Sequence, residues 1–172
     1  MSLRMLVPQG HFRVGAVDLK NPSISAAWLD LLDDYARDPM GGGSGLSAYA
    51  KRHLVEQLKD LPTFYGALAF QGEAAIGLIN GFTGFSTFAA QPLLNIHDVF
   101  VAPDVRRQGV ARALLRWAEA QARQLGCCKL TLEVLANNHP AMQSYEQAGF
   151  TPYQLDPAAG QALLLQKIIE EV

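Results

Sequence analysis

A basic loop that leads into a helix is the stretch of this sequence best suited to hold an anion. The loop covers residues 106–112 and reads RRQGVAR, and the helix begins at Gly109. The first turn of a helix presents backbone N–H groups without intrahelical partners and a partial positive charge, so it attracts phosphate. A glycine lets a ligand approach the backbone closely, and Arg106, Arg107 and Arg112 add donors suited to phosphate oxygens. The pattern fits a pyrophosphate site or, alternatively, a solvated basic loop before an ordinary helix.

Three titratable side chains in the second half of the sequence are candidates for proton transfer. His97 and Asp98 are neighbours in the apolar segment 93–101, and in a regular strand they would face opposite sides of the sheet. An imidazole accepts a proton near neutrality, whereas the phenol of Tyr145, with an ordinary pKa of about 10, can donate one. Each also has an ordinary structural interpretation: a core histidine bonded to a carbonyl, a carboxylate that closes a loop, and a half-buried helix aromatic.

Composition narrows the class of protein. The chain has 172 residues, of which 49% are apolar and 17% charged, which predicts one domain over residues 1–172 with a substantial core. The net charge of -2 argues against broad nucleic-acid binding, which requires a basic surplus. Two adjacent cysteines, Cys127 and Cys128, indicate neither a disulfide framework nor a metal site. No apolar run has the length of a signal peptide or a membrane span, so we expect a cytoplasmic protein.

Hydrophobic periodicity and turn residues predict the elements that position these groups. The predicted strands cover 11–19, 63–70, 74–85, 93–101, 129–135, 150–155 and 161–169, and the predicted helices cover 22–38, 46–61, 109–125 and 141–148. The glycine-rich segment 40–45 is either a linker between two helices or a lid over a cleft. This order of elements predicts an α/β protein, a mixed sheet with helices on both faces.

The segment 93–153 resembles the GNAT N-acyltransferase family. The strand 96–101 and the loop 106–111, Arg-x-x-Gly-x-Ala, provide one part of the resemblance. After one further strand, segment 138–150 is similar to the family signature Asn-x-x-Ala-x-x-x-Tyr-x-x-x-Gly-Phe. Two motifs in this order make the resemblance specific, although the first half of the chain matches only in the order of its elements.

The resemblance implies a fold and a cofactor. In this family a mostly antiparallel sheet is splayed at its fourth strand, here 93–101, which carries a bulge. Pantetheine lies in the resulting gap and pairs with the strand backbone, as an added strand would. Acetyl-CoA is therefore the implied acyl donor, a longer acyl chain not being excluded. The implied cofactor-binding residues are Phe100, Val101, Arg106, Arg107, Gln108, Gly109, Val110, Ala111, Arg112 and Asn138.

The resemblance also implies catalytic roles. Tyr145 matches the family's usual general acid, which protonates the leaving thiolate. The base that takes a proton from the attacking amine is His97, Asp98 or a water relay. A backbone N–H at 99–101 would polarise the thioester carbonyl.

The acceptor is indicated only weakly. Residues 85–88, Phe-Ser-Thr-Phe, loosely resemble a loop of the diamine-acetylating branch, and the acidic cluster Asp30, Asp33, Asp34 and Asp38 suits a cationic amine or is a solvated helix face. We expect an N-acetyltransferase for a small, polyamine- or amino-acid-like primary amine. A protein N-terminal or lysine acetyltransferase and a non-catalytic acyl-CoA sensor remain alternatives. Homodimers are common in the family, although no stretch here marks an interface.

Overall fold

A single mixed sheet organises the part of the chain that the structure describes. The structure is a computed structural model that describes residues 7–9, 11–154, 156, 158, 160 and 162–169. The sheet has six strands in chain order, antiparallel from β1 to β5, with β6 parallel to β5. The strands are β1 (Val7–Gln9), β2 (Phe12–Ala16), β3 (Phe64–Gln71), β4 (Ala74–Ser86), β5 (Gln91–Val101) and β6 (Leu130–Leu132). The expected mostly antiparallel mixed sheet is confirmed.

Four α-helices connect or flank the strands. They are α1 (Pro22–Arg37), α2 (Ala48–Leu58), α3 (Val110–Gln124) and α4 (His139–Gln147), and a 3-10 turn at Pro103–Val105 precedes α3. The side chain of Asn21 accepts from two first-turn amides of α1, and Ser47 caps α2 in the same way, as these residue types do at helix starts. All four predicted helices are therefore present, with boundaries shifted by a few residues. In the described part of the chain, no helix combines the length and apolar character that crossing a bilayer requires.

Apolar side chains pack on both faces of the sheet. On the face covered by α1 and α2, the α1 face, Trp28 and Leu31 pack against Leu68 and Phe100 of the strands. On the other, the α3 face, the apolar stripe of α3 packs against the opposite side chains of the same strands, including Ile79. Alternate residues of a strand point to opposite faces, so each central strand serves both clusters. This arrangement confirms the prediction of helices on both faces.

A bulge and a gap interrupt the sheet at β5. Asn80 pairs with Asp98 and Gly81 with Ile96, so His97 is the extra residue of a β-bulge. On the other side of β5, pairing with β6 covers only Leu94 to Ile96. The second half of β5 therefore lies next to a gap instead of a paired strand. The splay expected at the fourth predicted strand is confirmed.

The two ends of the chain differ from the predictions. β1 was not predicted, because its three residues include Pro8 and show no apolar alternation. The strands predicted at 150–155 and 161–169 are wrong where the structure describes them: residues 150–154 and 162–169 form no strand. Leu165 is 84% exposed. Apolar residues form a strand only when a neighbouring strand is available for pairing. The neighbour available at this edge of the sheet is β6, which is only three residues long.

Candidate functional site

The loop before α3 has an unusual backbone conformation at two residues. Arg107 has φ 67° and Gly109 has φ 88°, so both lie in the left-handed region. Gly109 occupies this region at little cost, whereas Arg107 is strained there. Strained backbone of this kind concentrates at ligand-binding loops.

The N-terminus of α3 differs from those of the other helices. Side chains of Asn21, Ser47 and Asn138 cap α1, α2 and α4, whereas Gly109 gives α3 no side-chain cap. The first-turn N–H groups of α3 therefore have no side-chain acceptor among the described residues. An anion is the natural partner of such an end. Because the Val110 side chain is buried, this residue presents only its backbone.

The three arginines of the loop have different surroundings. Arg107 and Arg112 are exposed. Arg106 is already bound within the chain: its Nη2 donates to Oδ2 of Asp38 at 2.7 Å, and its Nε donates to the carbonyl oxygen of Val101 at 3.0 Å. Its guanidinium also lies 5.7 Å from the centre of the Phe100 ring. Arg106 thus joins the loop to the end of α1, and its contact with pyrophosphate stays a prediction.

The bulge brings His97 and Asp98 to the same face. Asp98 is hydrogen-bonded to Asn80, which in turn binds Trp28 of α1. The His97 ring lies 4.9 Å edge-on from Phe82, whose ring contacts Phe64 of the α1-face cluster. A regular strand would place the two side chains on opposite faces, but the bulge that was expected on this strand shifts the alternation by one residue, so here they share a face.

Asp98 is held in a partly buried, hydrogen-bonded position. Nδ2 of Asn80 donates to its Oδ2 at 2.9 Å, and Nε1 of Trp28 donates to Oδ1 of Asn80 at 2.8 Å. Burial raises the pKa of Asp98, and the hydrogen bond from Asn80 and the charge of His97 offset part of that rise. A carboxylate of raised pKa in a cleft is a better proton acceptor than an exposed one.

Two tyrosines approach the same region from opposite faces. Tyr145 of α4 packs with the α3-face cluster, and burial followed by the proximity of Tyr35 raises its pKa to about 12. Tyr35 of α1 lies 5.8 Å from Phe100, ring to ring. Burial, then Asp98 and then Asp38 raise the pKa of Tyr35. Tyr35 is therefore an electrostatic neighbour of both Asp98 and Tyr145.

The combination of an uncapped helix start, a bulged strand and a tyrosine beside the gap agrees with one known family. Residues 28–150 match the model of the acetyltransferase (GNAT) family. The chain belongs to this family.

Relatives with known activities match the GNAT core over part of their length. The chain is 39% identical over 89 residues to streptothricin acetyltransferase of Streptomyces lavendulae. This matched segment is 52% of this chain and 47% of that protein. It is 31% identical over 86 residues to thialysine N-epsilon-acetyltransferase of Caenorhabditis elegans, covering 50% and 53%. The chain thus spans about half the length of these curated relatives.

A solved GNAT structure shares the fold over nearly the whole chain. The aminoglycoside N-acetyltransferase AAC(6')-Iy, solved in complex with CoA, superposes with a TM-score of 0.71 at 17% identity. The superposition covers 94% of this chain and 99% of that one. At this identity the likeness establishes the architecture alone.

Asn138, another predicted cofactor residue of this GNAT chain, makes a hydrogen bond within its own helix start. Oδ1 of Asn138 accepts from the backbone N–H of Ala141 at 3.3 Å and so caps α4. Its predicted contact with the cofactor is untested and stays a prediction. The same holds for the backbone of Phe100 and Val101, which lies at the gap.

The glycine-rich segment of this GNAT chain is folded against α1. A Cβ on Gly41 would lie 1.9 Å from the carbonyl oxygen of Tyr35, so only glycine fits there. The backbone N–H of Leu46 donates to Oδ1 of Asp33 at 2.8 Å, and Nζ of Lys51 donates to Oδ2 at 2.7 Å. These contacts favour the linker interpretation over a lid.

The acidic cluster of α1 serves mainly internal contacts. Asp33 binds Lys51, Asp34 binds Arg37 and Asp38 binds Arg106. These carboxylates therefore hold the chain together instead of forming a common surface for an amine. The aromatic residues of segment 85–88, which covers the end of β4 and the turn after it, are exposed: Phe85 by 63% and Phe88 by 94%.

Three further residues that neighbour the candidate site were not predicted from the sequence: Trp28, Tyr35 and Asn80. Trp28 and Tyr35 fit the apolar stripe of α1 and look like core. Asn80 carried a signal, because it is a polar residue at a buried position within an apolar strand. Buried polar side chains need a partner, but the sequence does not say which one.

Proposed function

We propose that this chain is an acetyl-CoA-dependent N-acetyltransferase for a small cationic primary amine. The observation that carries the proposal is the uncapped start of α3 beside the gap in the sheet, since it suits a pyrophosphate with an extended chain attached. Relatives named for streptothricin and thialysine support a small amine as acceptor.

The donor side uses mostly backbone. The amides of residues 108–112 would hold the pyrophosphate, and Arg107 and Arg112 would add charge at the open side. The backbone of Phe100 and Val101 would pair with the pantetheine arm along the gap. When bound, acetyl-CoA supplies a thioester carbon that a neutral amine can attack.

The acceptor side uses side chains of the α1 face. Asp98 and His97 lie together at the bulge, and a carboxylate attracts an ammonium group. An amine attacks only when neutral, so one of these groups takes its proton directly or through water. The raised pKa of Asp98 makes its carboxylate the stronger candidate for this step.

Tyr145 is the proposed general acid. Its pKa of about 12 keeps the phenol protonated throughout the neutral range. The phenol can therefore give its proton to the departing sulfur as the C–S bond breaks and the C–N bond forms. The nitrogen loses one proton as it becomes a neutral amine and a second as the amide forms. The base passes the first proton to solvent and the second restores the phenol of Tyr145, so protons balance over the turnover.

The test combines calorimetry with a panel of acceptors. We expect acetyl-CoA to bind to the protein with a 1:1 stoichiometry, and thiol release to accelerate with diamines, lysine analogues or aminoglycoside-like amines. Absence of acetyl-CoA binding would refute the proposal. Turnover only with peptides would instead favour the protein acetyltransferase, and binding without turnover by any acceptor would favour the sensor.

A further inference from the structure

A chain of three hydrogen-bonding side chains runs from the core to Asp98 at the bulge of β5. Trp28 is 0% and Asn80 2% exposed, and they bind each other at 2.8 Å although 52 residues separate them. Asn80 then reaches Asp98 at 2.9 Å. The three residues come from α1, β4 and β5, so the fold brings them together at the bulge.

The direction of this chain is fixed by chemistry. An indole N–H can only donate and a carboxylate can only accept. Oδ1 of Asn80 must therefore face Trp28, and Nδ2 must face Asp98. No rotation of the Asn80 amide satisfies both neighbours in another way, so the carboxylate is offered a donor at one defined place.

We propose that Asn80 and Trp28 are positioning residues that hold the carboxylate of Asp98 toward the acceptor amine. The proposal rests on the proposed N-acetyltransferase function and assigns to Asp98, ahead of His97, the role of base. Asn80 binds one carboxylate oxygen, which leaves the second oxygen for the substrate. Trp28 acts through Asn80: its hydrogen bond to Oδ1 fixes the orientation of the Asn80 amide.

Other titratable groups surround Asp98 and must be considered with it. His97 lies next to it on β5, and Tyr35 faces it from α1. Tyr35 in turn neighbours Asp38, which Arg106 holds, and Tyr145. None of these groups is altered by a substitution of Asn80 or Trp28, so a change in Asp98 can be assigned to the hydrogen-bond chain.

The kinetic test compares two substitutions with a matched control. Asn80→Leu keeps the size of the side chain and removes the donor, so the acid limb of the pH profile of kcat should move to higher pH. We expect kcat near neutrality to fall by about tenfold. This is less than the fall of roughly 10²- to 10⁴-fold that follows loss of a general base. Trp28→Phe should shift the limb less and in the same direction, with KM for acetyl-CoA unchanged in both.

The control is Trp117→Phe on α3. It replaces a comparably buried tryptophan, 7% exposed, on the other face of the sheet. It should lower thermal stability as Trp28→Phe does, without moving the pH profile. An identical profile for Asn80→Leu, Trp28→Phe and the control would overturn the proposal in favour of a structural role.

A second readout does not depend on turnover. The carboxyl carbon of Asp98, assigned by its absence in Asp98→Asn, can be titrated by nuclear magnetic resonance. Loss of the Asn80 donor should raise the pKa of Asp98, because that hydrogen bond lowers it. If the pKa of Asp98 is the same in Asn80→Leu as in the wild type, the proposal is refuted. If that pKa shifts but the wild-type protein acetylates no amine, the hydrogen-bond chain stands while the proposed function, and with it the catalytic role of the chain, is refuted.

Discussion

The proposed cofactor side and the proposed acceptor side of the site are built from different material. The proposed cofactor side consists of backbone amides of a contiguous loop, residues 106–112, and the proposed acceptor side consists of side chains. On that second side Trp28, Asn80 and Asp98 come from three elements and lie 52 and 18 residues apart along the chain. A site made of backbone depends on local conformation, whereas a site made of side chains depends on the packing of the whole sheet.

This difference predicts how each side responds to substitution. The cofactor side should tolerate most side-chain changes and fail only where the backbone itself is altered. The acceptor side should respond to single atoms, because each of its hydrogen bonds has one partner. Four experiments, ordered from the largest expected effect to the smallest, test this contrast.

The largest effect is expected at the gap between the two sides. Tyr145→Phe removes one hydroxyl and should lower kcat by about 10²–10⁴, the range for a lost general acid, with the Kd for acetyl-CoA unchanged by calorimetry. The Tyr145–Phe150 ring contact at 6.0 Å remains, so the fold should be kept. An unchanged kcat would remove Tyr145 from the mechanism.

A backbone change should break the cofactor side. Gly109→Val forces a β-branched residue into φ 88°, a strain of roughly 1–3 kcal/mol, so we expect acetyl-CoA affinity to fall about tenfold or more in calorimetry. Gly126→Val is the matched control, since Gly126 is also left-handed, with φ 67°, at the other end of α3. Both variants should lose stability. Equal loss of affinity in both would show that the loop has no special part in binding.

The acceptor side should show a conflict between stability and activity. Burial raises the folded-state pKa of Asp98, so the charged carboxylate destabilises the folded state at neutral pH. Below the unfolded-state pKa the group is protonated in both states and this cost vanishes; the cost builds as pH rises through the raised folded-state pKa. Asp98→Asn should therefore raise the Tm by a few degrees at pH 7.5, with a difference that shrinks as pH falls, while activity is lost. A Tm difference independent of pH would contradict this explanation.

The smallest effects are expected from the exposed arginines of the loop. Arg107→Ala and Arg112→Ala should each weaken acetyl-CoA binding by roughly 1.5- to 5-fold, the range for exposed ion pairs, and high salt should erase the difference. Arg116→Ala, an exposed arginine one turn further along α3, should have no effect. If affinity for acetyl-CoA fell equally in all three variants, net charge and not position would explain binding.

The same contrast explains what the sequence could predict. Gly109 and the loop around it form a local signature, so the helix that follows was predicted correctly and the loop could be proposed as an anion site. The α1-face network was not, because neither Trp28 nor Asn80 carries information about a partner far along the chain. The strand predicted at 161–169 was wrong where described, since apolar composition indicates strand propensity but not a neighbour to pair with. The relative faces of His97 and Asp98 could be predicted only for a regular strand, because the sequence does not mark the residue at which a bulge shifts the alternation.

The bulge at His97 acts on β5 as a frameshift acts on a reading frame. Leu94 and Ile96 belong to the α3-face cluster, while Phe100 belongs to the α1-face cluster, although all three have the same parity. Every side chain after His97 points to the face opposite the one that alternation from Leu94 and Ile96 would give it. An alignment with relatives that lack the extra residue would exchange the two faces over the rest of the strand unless it places a gap at His97. An engineered deletion of His97 would remove the bulge and restore regular alternation, so the Asp98 carboxylate would stay on the α1 face, opposite Asn80.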